Sequence, residues 1–272
     1  MTIPRILIVA GSDSGGGAGI QADIKTVTML GGHAMTAVTA ITVQNTLGVT
    51  GVLPVPPETI VAQIDAVWDD IGVDAVKIGM IGTAAAARAV AAALAARPPV
   101  PVVVDPVMVA TSGATLADDG TVAALEALIA TATIVTPNAP ELAVLTGGPI
   151  ADEGALRAAA GRLAARTGRA VLAKGGHLPG DTVIDLLITP EGETRWEAAR
   201  IVTRHSHGTG CTLASAVATG LGGGLTAAAA VARARRYVRA TLTAAPGLGR
   251  GHGPMGHGLG RAWDGSDREH SA

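Results

Sequence analysis

Short, continuous runs of apolar and β-branched residues alternate along this chain with stretches of helical periodicity, and the runs stop at polar residues or glycines. "RILIVAG" (5–11), "AMTAVTAITVQN" (34–45), "DAVKIGM" (74–80), "PVVVDPVM" (101–108), "TIVTPN" (133–138) and "AVLAKGGH" (170–177) read as strands. Helices are expected near 18–30 and over 56–70, 83–97 and 152–168, with a short one in "APELAVLTG" and two more at about 210–222 and 225–243. The 56–70 segment opens on proline and an acid, and Ile60, Val61, Ile64, Val67 and Trp68 supply its apolar spacing. Strands that do not alternate with polar residues must be covered on both sides. The pattern therefore predicts an α/β fold, a mostly parallel central sheet with helices on both faces. "TVIDLLITP" and "ETRWEAARI", flanking "EG", predict an antiparallel hairpin. No linker divides the chain, so one domain is expected over 1–257, followed by an irregular Gly/His/Arg-rich tail at 258–272.

Composition narrows the function classes. With no Phe, one Tyr and three Trp, the core must be built from Ala, Val, Leu and Ile. The formal charge is −2 and no Lys/Arg cluster tracks a phosphate backbone, so nucleic acid is not an expected partner. A single cysteine rules out an internal disulfide and fits a reducing compartment, so a cytoplasmic location is expected. The N-terminal apolar run is too short for the core of a signal peptide. Two stretches without formal charge, 26–57 and 207–232, lack the continuous Leu/Ile/Val content of a membrane span and read as buried interior.

In a fold of this class, ligands bind beyond the carboxyl ends of the strands. The unusual residues fall there: Gly11–Gly19, Gln44, Met80, Asp105, Asn138 and Lys174. Gly17, Gly19 and Ala22 match G-x-G-x-x-A, but the second strand ends in "VQN" without a ribose-binding acid, which argues against a dinucleotide. The loop is either a tight turn or a ligand loop. Gln44 offers a donor and an acceptor in fixed relation, suited to a flat heterocycle with a ring nitrogen beside an exocyclic amine, or it caps a strand end. Alternation puts Thr42 on the same face. Asp105 and Glu141 are two carboxylates of the kind that hold magnesium in phosphoryl transfer, or ordinary first-turn acids. Lys174 meets a nucleotide phosphate or is a solvated edge residue. No P-loop is present.

"HGTGC" (207–211) is the sharpest feature. Gly208, Thr209 and Gly210 are expected to leave three backbone N–H groups free where a helix starts, an anion site. Cys211 is either a small buried filler or a thiol with a lowered pKa at that helix start.

Taken together, "AGSDSGGGAGIQADIKT", "TAITVQNTLGV", "KIGM", "VVDPVM", "TPNAPEL", "KGGHL", "HGTGCTLASAVA" and the late "GRGHGP" resemble the hydroxymethylpyrimidine/phosphomethylpyrimidine kinases of thiamine biosynthesis, over about residues 5–257. The resemblance implies the ribokinase-like fold, a homodimer, and ATP- and Mg²⁺-dependent phosphorylation of 4-amino-5-hydroxymethyl-2-methylpyrimidine and then of its monophosphate. It implies that Gln44 reads the aminopyrimidine edge and that Gly11, Ala18, Thr42, Met80 and Val107 line the pocket. By the same resemblance Gly208, Thr209, Gly210 and Cys211 form the catalytic anion hole, Asp105 and Glu141 the magnesium region, and Asn138 and Lys174 the nucleotide side. Three positions depart from the family's usual pattern: Thr111 where lysine is common, Ser14–Gly15 where Pro–Ser is common, and Thr42 where valine is common. The Thr111 change bears on the second phosphorylation, whose acceptor is already anionic. Two other readings are a pyridoxal or pyridoxamine kinase of the same fold and a non-catalytic pyrimidine-binding regulator.

Overall fold

Strand β1 (Arg5–Asp13) is the axis of the molecule. It pairs in parallel with β2 (His33–Asn45) on one side and β4 (Ala75–Ile78) on the other. Beyond β4 lie β5 (Val102–Val104), β6 (Ile134–Val135) and β7 (Ala170–Lys174), all parallel. The edges are antiparallel: β3 (Gly48–Pro54) against β2, and the expected hairpin of β8 (Thr182–Thr189) and β9 (Gly192–Ala199) against β7. The order across the nine-stranded sheet is β3-β2-β1-β4-β5-β6-β7-β8-β9. This is a computed structural model, and it describes residues 2–108 and 119–260. Thr111 and the tail from 261 onward lie outside the described residues.

Successive side chains of a strand point to opposite faces. Ile6, Ile8 and Ala10 of β1 therefore pack with α1 (Gly19–Met29), α7 (Thr209–Gly222) and α8 (Ala227–Thr243). Leu7 and Val9 pack on the other face, which is covered by α2 (Pro57–Asp70), α3 (Ala84–Ala95), α4 (Asp119–Thr131), α5 (Ala139–Thr146) and α6 (Glu153–Thr167). A chain without phenylalanine fills its interior by bringing backbones close together. Helix α7 is buried from Thr212 to Gly220, and a Cβ on Gly222 would stand 2.8 Å from Ile6 Cδ1.

One buried ion pair crosses this core. Lys77, in the middle of β4 and fully buried, places Nζ 2.7 Å from Asp23 Oδ2 on α1, and Asp23 Oδ1 accepts the Ser215 hydroxyl of α7 at 2.7 Å. The ammonium rises toward the site: a Cβ on Gly79, just past β4, would stand 2.7 Å from it. Removing one partner of such a pair leaves a buried charge and costs about 3–5 kcal/mol.

The structure departs from the sequence reading in places. Strand β3 and helix α4 had no counterpart in it. As an edge strand, β3 tolerates its glycines and Pro54. The runs expected at 101–108 and 133–138 shorten to Val102–Val104 and Ile134–Val135, because the residues that follow turn out of the ladder into the site. Strand β1 instead runs past Gly11, with an irregularity between Ala10 and Ser12 that puts Asp13 opposite Thr42. Bulges of this kind re-aim side chains beside active sites. Residues 246–260 carry no helix or strand, yet they are tied down. His252 N donates to Thr46 O at 2.8 Å, and the Tyr237 hydroxyl to His257 O at 2.8 Å. Thr212 Oγ1 lies 2.9 Å from His257 Nε2, whose imidazole burial pushes down to about 4. Among the described residues no helix is long and apolar enough to cross a membrane.

Candidate active site

After β1 the chain first builds outward to β2 and β3, then crosses back to lay β4 on the other side of β1. Such a switch opens a crevice at the carboxyl ends of the strands. A cavity of about 800 Å³ lies there, and every site residue expected from the sequence lines it. Gly11 and Ala18 come from the first loop, Thr42 and Gln44 from β2, Met80 from the end of β4, and Asp105 and Val107 from the end of β5. Asn138 and Glu141 come from the start of α5, Lys174 from the end of β7, and Gly208, Thr209, Gly210 and Cys211 from the start of α7.

The start of α7 is set by two close approaches. Gly208, its N-cap, has φ +87°, and a Cβ there would stand 1.9 Å from Gly17 O. A Cβ on Gly210 would stand 3.2 Å from Asp105 Oδ2 and 3.3 Å from Lys174 Nζ. The helix can therefore end against the carboxylate and the ammonium only because these positions are bare. Two expectations need correcting here. Thr209 N donates to Ser206 O at 3.3 Å, so of the three amides expected to be free that of Thr209 is engaged, while helix geometry leaves the N–H groups of Gly210 and Cys211 without an intrahelical acceptor. The Cys211 thiol is not lowered. Burial pushes it up to about 11, with Lys77 pulling the other way and Asp23 and Asp105 adding to the rise. Burial and the two carboxylates together outweigh Lys77 and the Gly19 backbone contact, which pull the thiol down.

Lys174 stands between the two expected magnesium carboxylates. Its Nζ lies 2.7 Å from Asp105 Oδ1 and 3.9 Å from Glu141 Oε2. Asp105 Oδ1 also accepts the Thr136 hydroxyl at 3.0 Å. Glu141 and Asn138 form a reciprocal cap on α5: Asn138 N donates to Glu141 Oε2 at 2.8 Å and Glu141 N to Asn138 Oδ1 at 2.9 Å. Burial raises the Glu141 carboxyl to about 7, against the pull of Lys174 and with a push from Asp105. Burial alone would lower Lys174, but Asp105 and Glu141 outweigh it and hold the ammonium charged.

The remaining polar cluster surrounds Gln44. Its Oε1 lies 3.0 Å from Thr42 Oγ1, which donates to Ser12 O at 2.9 Å. Its Nε2 lies 3.1 Å from His207 Nε2, which stands 3.0 Å from Asp13 Oδ2. The Asp13 carboxylate also accepts the N–H groups of Gly15, Gly17 and Ala18 at 2.8–3.0 Å. Burial would raise Asp13, but the His207 ring and these amides outweigh it and hold the group below the usual carboxylate range. Asp13, His207 and Lys77 were not singled out from the sequence. The signals were present: an acid inside the first glycine loop, a histidine directly before "GTGC", and a lysine in the middle of the apolar "AVKI".

The family model for phosphomethylpyrimidine kinase matches residues 13–256. A thiamine biosynthesis bifunctional protein of Geobacter sulfurreducens is 51% identical over 253 residues; the match takes in 93% of this chain but only 52% of that protein, so the chain spans about half of its length. A hydroxymethylpyrimidine/phosphomethylpyrimidine kinase of Streptomyces coelicolor is 50% identical over 95% of this chain and 96% of its own. Among solved structures, a Staphylococcus aureus pyridoxal kinase in complex with AMP-PCP and pyridoxal superposes with a TM-score of 0.87 at 30% identity, covering 95% of each chain. A phosphomethylpyrimidine kinase of Clostridium difficile superposes with a TM-score of 0.77 at 37% identity, covering 88% of this chain and 98% of its own. With the family model matched over residues 13–256 and relatives of this identity and coverage, the chain belongs to the phosphomethylpyrimidine kinase family and is a kinase of the ribokinase-like fold.

Proposed function

We propose that this chain transfers the γ-phosphoryl group of ATP to the hydroxymethyl group of 4-amino-5-hydroxymethyl-2-methylpyrimidine, and then transfers a second one to the resulting monophosphate. The observation that carries this reading is the convergence in one cavity of a heterocycle-reading amide, Gln44, with the α7 start, where Asp105 and Lys174 crowd against Gly210. Residues 1–257 act as one kinase unit in this reading.

Gln44 holds the ring edge, with Thr42, Ala18, Met80 and Val107 around it. The hydroxymethyl arm then points to Cys211. The Gly210 and Cys211 N–H groups receive the transferring phosphoryl group, whose charge is spread over its oxygens in a loose transition state. Lys174 adds a fixed positive charge beside it. The described bonds engage one oxygen of each carboxylate, Asp105 Oδ1 and Glu141 Oε2. The other oxygen of each suits a Mg²⁺ ion that keeps most of its waters, and such an ion would screen the nucleotide phosphates. Asn138 and Lys174 lie on the nucleotide side. Because burial keeps the Cys211 thiol neutral, its role is to orient the substrate hydroxyl; as the new O–P bond forms and the bond to ADP breaks, the hydroxyl proton passes late to an oxygen of the transferred phosphoryl group.

A homodimer is part of this proposal. Ile41, Val43 and Leu53, on the face of β2 and β3 turned away from Thr42, are 49%, 63% and 64% exposed, an apolar patch that a second copy would cover. The pyridoxal kinase reading is kept because of the similarity to the Staphylococcus aureus enzyme. Comparing kcat/KM for pyridoxal and for the pyrimidine alcohol separates the two, and ADP release with either substrate excludes a non-catalytic binder.

A further inference from the structure

His207 joins the two halves of the site, and nothing in the mechanism above uses it. Its backbone leads directly into Gly208, the N-cap of α7, and its N–H donates to Gly253 O at 3.3 Å. Its ring fits against Gly17, where a Cβ would come within 2.6 Å of Cδ2. Its Nε2 stands between the Asp13 carboxylate at 3.0 Å and the Gln44 amide at 3.1 Å.

The two ends of a primary amide have nearly the same shape and opposite hydrogen-bonding sense. Which end faces which way is decided by neighbours of fixed polarity. At one end Gln44 meets the Thr42 hydroxyl, whose single proton goes either to Ser12 O at 2.9 Å or to the amide at 3.0 Å, so that it accepts from the amide in the first case and donates to it in the second. At the other end it meets His207 Nε2. That atom does have a fixed polarity, because an ionised Asp13, held by three backbone N–H groups, requires a proton on the nitrogen facing it. A protonated Nε2 shares its one proton between Asp13 and Gln44 and favours the amide oxygen beside it, which turns the amide over from its orientation in the structure, where Gln44 Nε2 faces the ring.

We infer that His207 is a positioning residue whose ring passes the polarity of Asp13 to the Gln44 amide and so fixes which hydrogen-bond pattern the pocket accepts from a ring edge. Each end of the amide keeps one further hydrogen-bonding position for a ligand. An amide locked in one orientation matches a 4-aminopyrimidine, with its exocyclic donor and ring-nitrogen acceptor. It mismatches the 4-oxo analogue, in which the two are reversed. This inference rests on the proposed pyrimidine specificity.

The test measures kcat/KM of the full chain for the 4-amino alcohol and for its 4-oxo analogue, in wild type and in His207→Phe. Phenylalanine keeps an aromatic ring but has no polarity to pass on, so the amide is free to turn. The expected result is a fall of about tenfold or more in the amino-over-oxo ratio, carried mainly by KM, since a site built on paired hydrogen bonds rejects a mismatched analogue strongly. A merely structural role would lower both substrates together, and an unchanged ratio overturns the inference. His207→Gln, which again supplies an N–H toward Asp13, is expected to restore part of the discrimination. Wild type must first turn over the 4-amino alcohol; if it does not, it is the proposed substrate that fails. Should the variants fail to fold, ¹⁵N NMR of the histidine rings in wild type decides. A proton on His207 Nε2 is expected, and a neutral ring carrying its proton on Nδ1 alone contradicts the relay.

Discussion

Lys174 Nζ lies 2.7 Å from Asp105 Oδ1 and 3.9 Å from Glu141 Oε2, so one buried ammonium stands between two carboxylates at the start of α7. Lys174→Met leaves those carboxylates without their cation. Urea unfolding is expected to show a loss of about 3–5 kcal/mol. Steady-state kinetics should show kcat down by about 10²-fold, with KM for the pyrimidine alcohol little changed. Adding Asp105→Leu removes the stranded charge, so the double variant should regain stability and no activity.

The Cys211 thiol, raised to about 11 by burial, is neutral at physiological pH. Because the chain has a single cysteine, alkylation reads this one group directly. The rate with iodoacetamide is expected to be slow at neutral pH and to climb as pH rises toward about 11. For an orienting hydroxyl partner, Cys211→Ser should keep most of the turnover, and Cys211→Ala should cost about tenfold in kcat. A loss of about 10²–10⁴-fold in Cys211→Ala would identify a proton acceptor instead. An unchanged kcat would remove the sulfur from the mechanism.

Glu141 has a folded-state value of about 7, raised above its ordinary value of 4.5. The native state therefore holds this proton more tightly than the unfolded chain does. The stability that results is present below about pH 4.5 and is lost as pH rises through about 7. Denaturant midpoints across that window should fall less steeply with pH in Glu141→Gln than in wild type. The same ionisation readies the carboxylate for a cation, so the apparent Mg²⁺ affinity is expected to rise through neutral pH in wild type and to be flat in the variant.

The exposed apolar face of β2 and β3 should be an interface. Light scattering is expected to give twice the 26.8 kDa chain mass for wild type and the monomer mass for a Val43→Glu/Leu53→Glu variant.

Much of this was legible in the chain. Apolar runs that never alternate, such as Ile6–Ala10, had to be strands covered on both sides, and the residues ending them had to converge on one edge. The charge state of that edge was not legible. The Cys211 thiol is governed by what lies behind it, and Asp23, Lys77 and Asp105 reach it from distant parts of the sequence. The position of Lys174 at a strand end gives no sign that Asp105 stands 2.7 Å away on a non-adjacent strand. His207 went unremarked because its role depends on Asp13, far off in sequence, which an irregularity in β1 turns toward it. Periodicity reports burial along one element, whereas pairings between elements require the fold.

The central claim is best tested by an ATP-coupled assay with the pyrimidine alcohol and its monophosphate as separate acceptors. The account predicts ADP release with each, one equivalent per acceptor consumed, and the diphosphate as final product. No release with the alcohol, or a kcat/KM for pyridoxal above that for the alcohol, would contradict it.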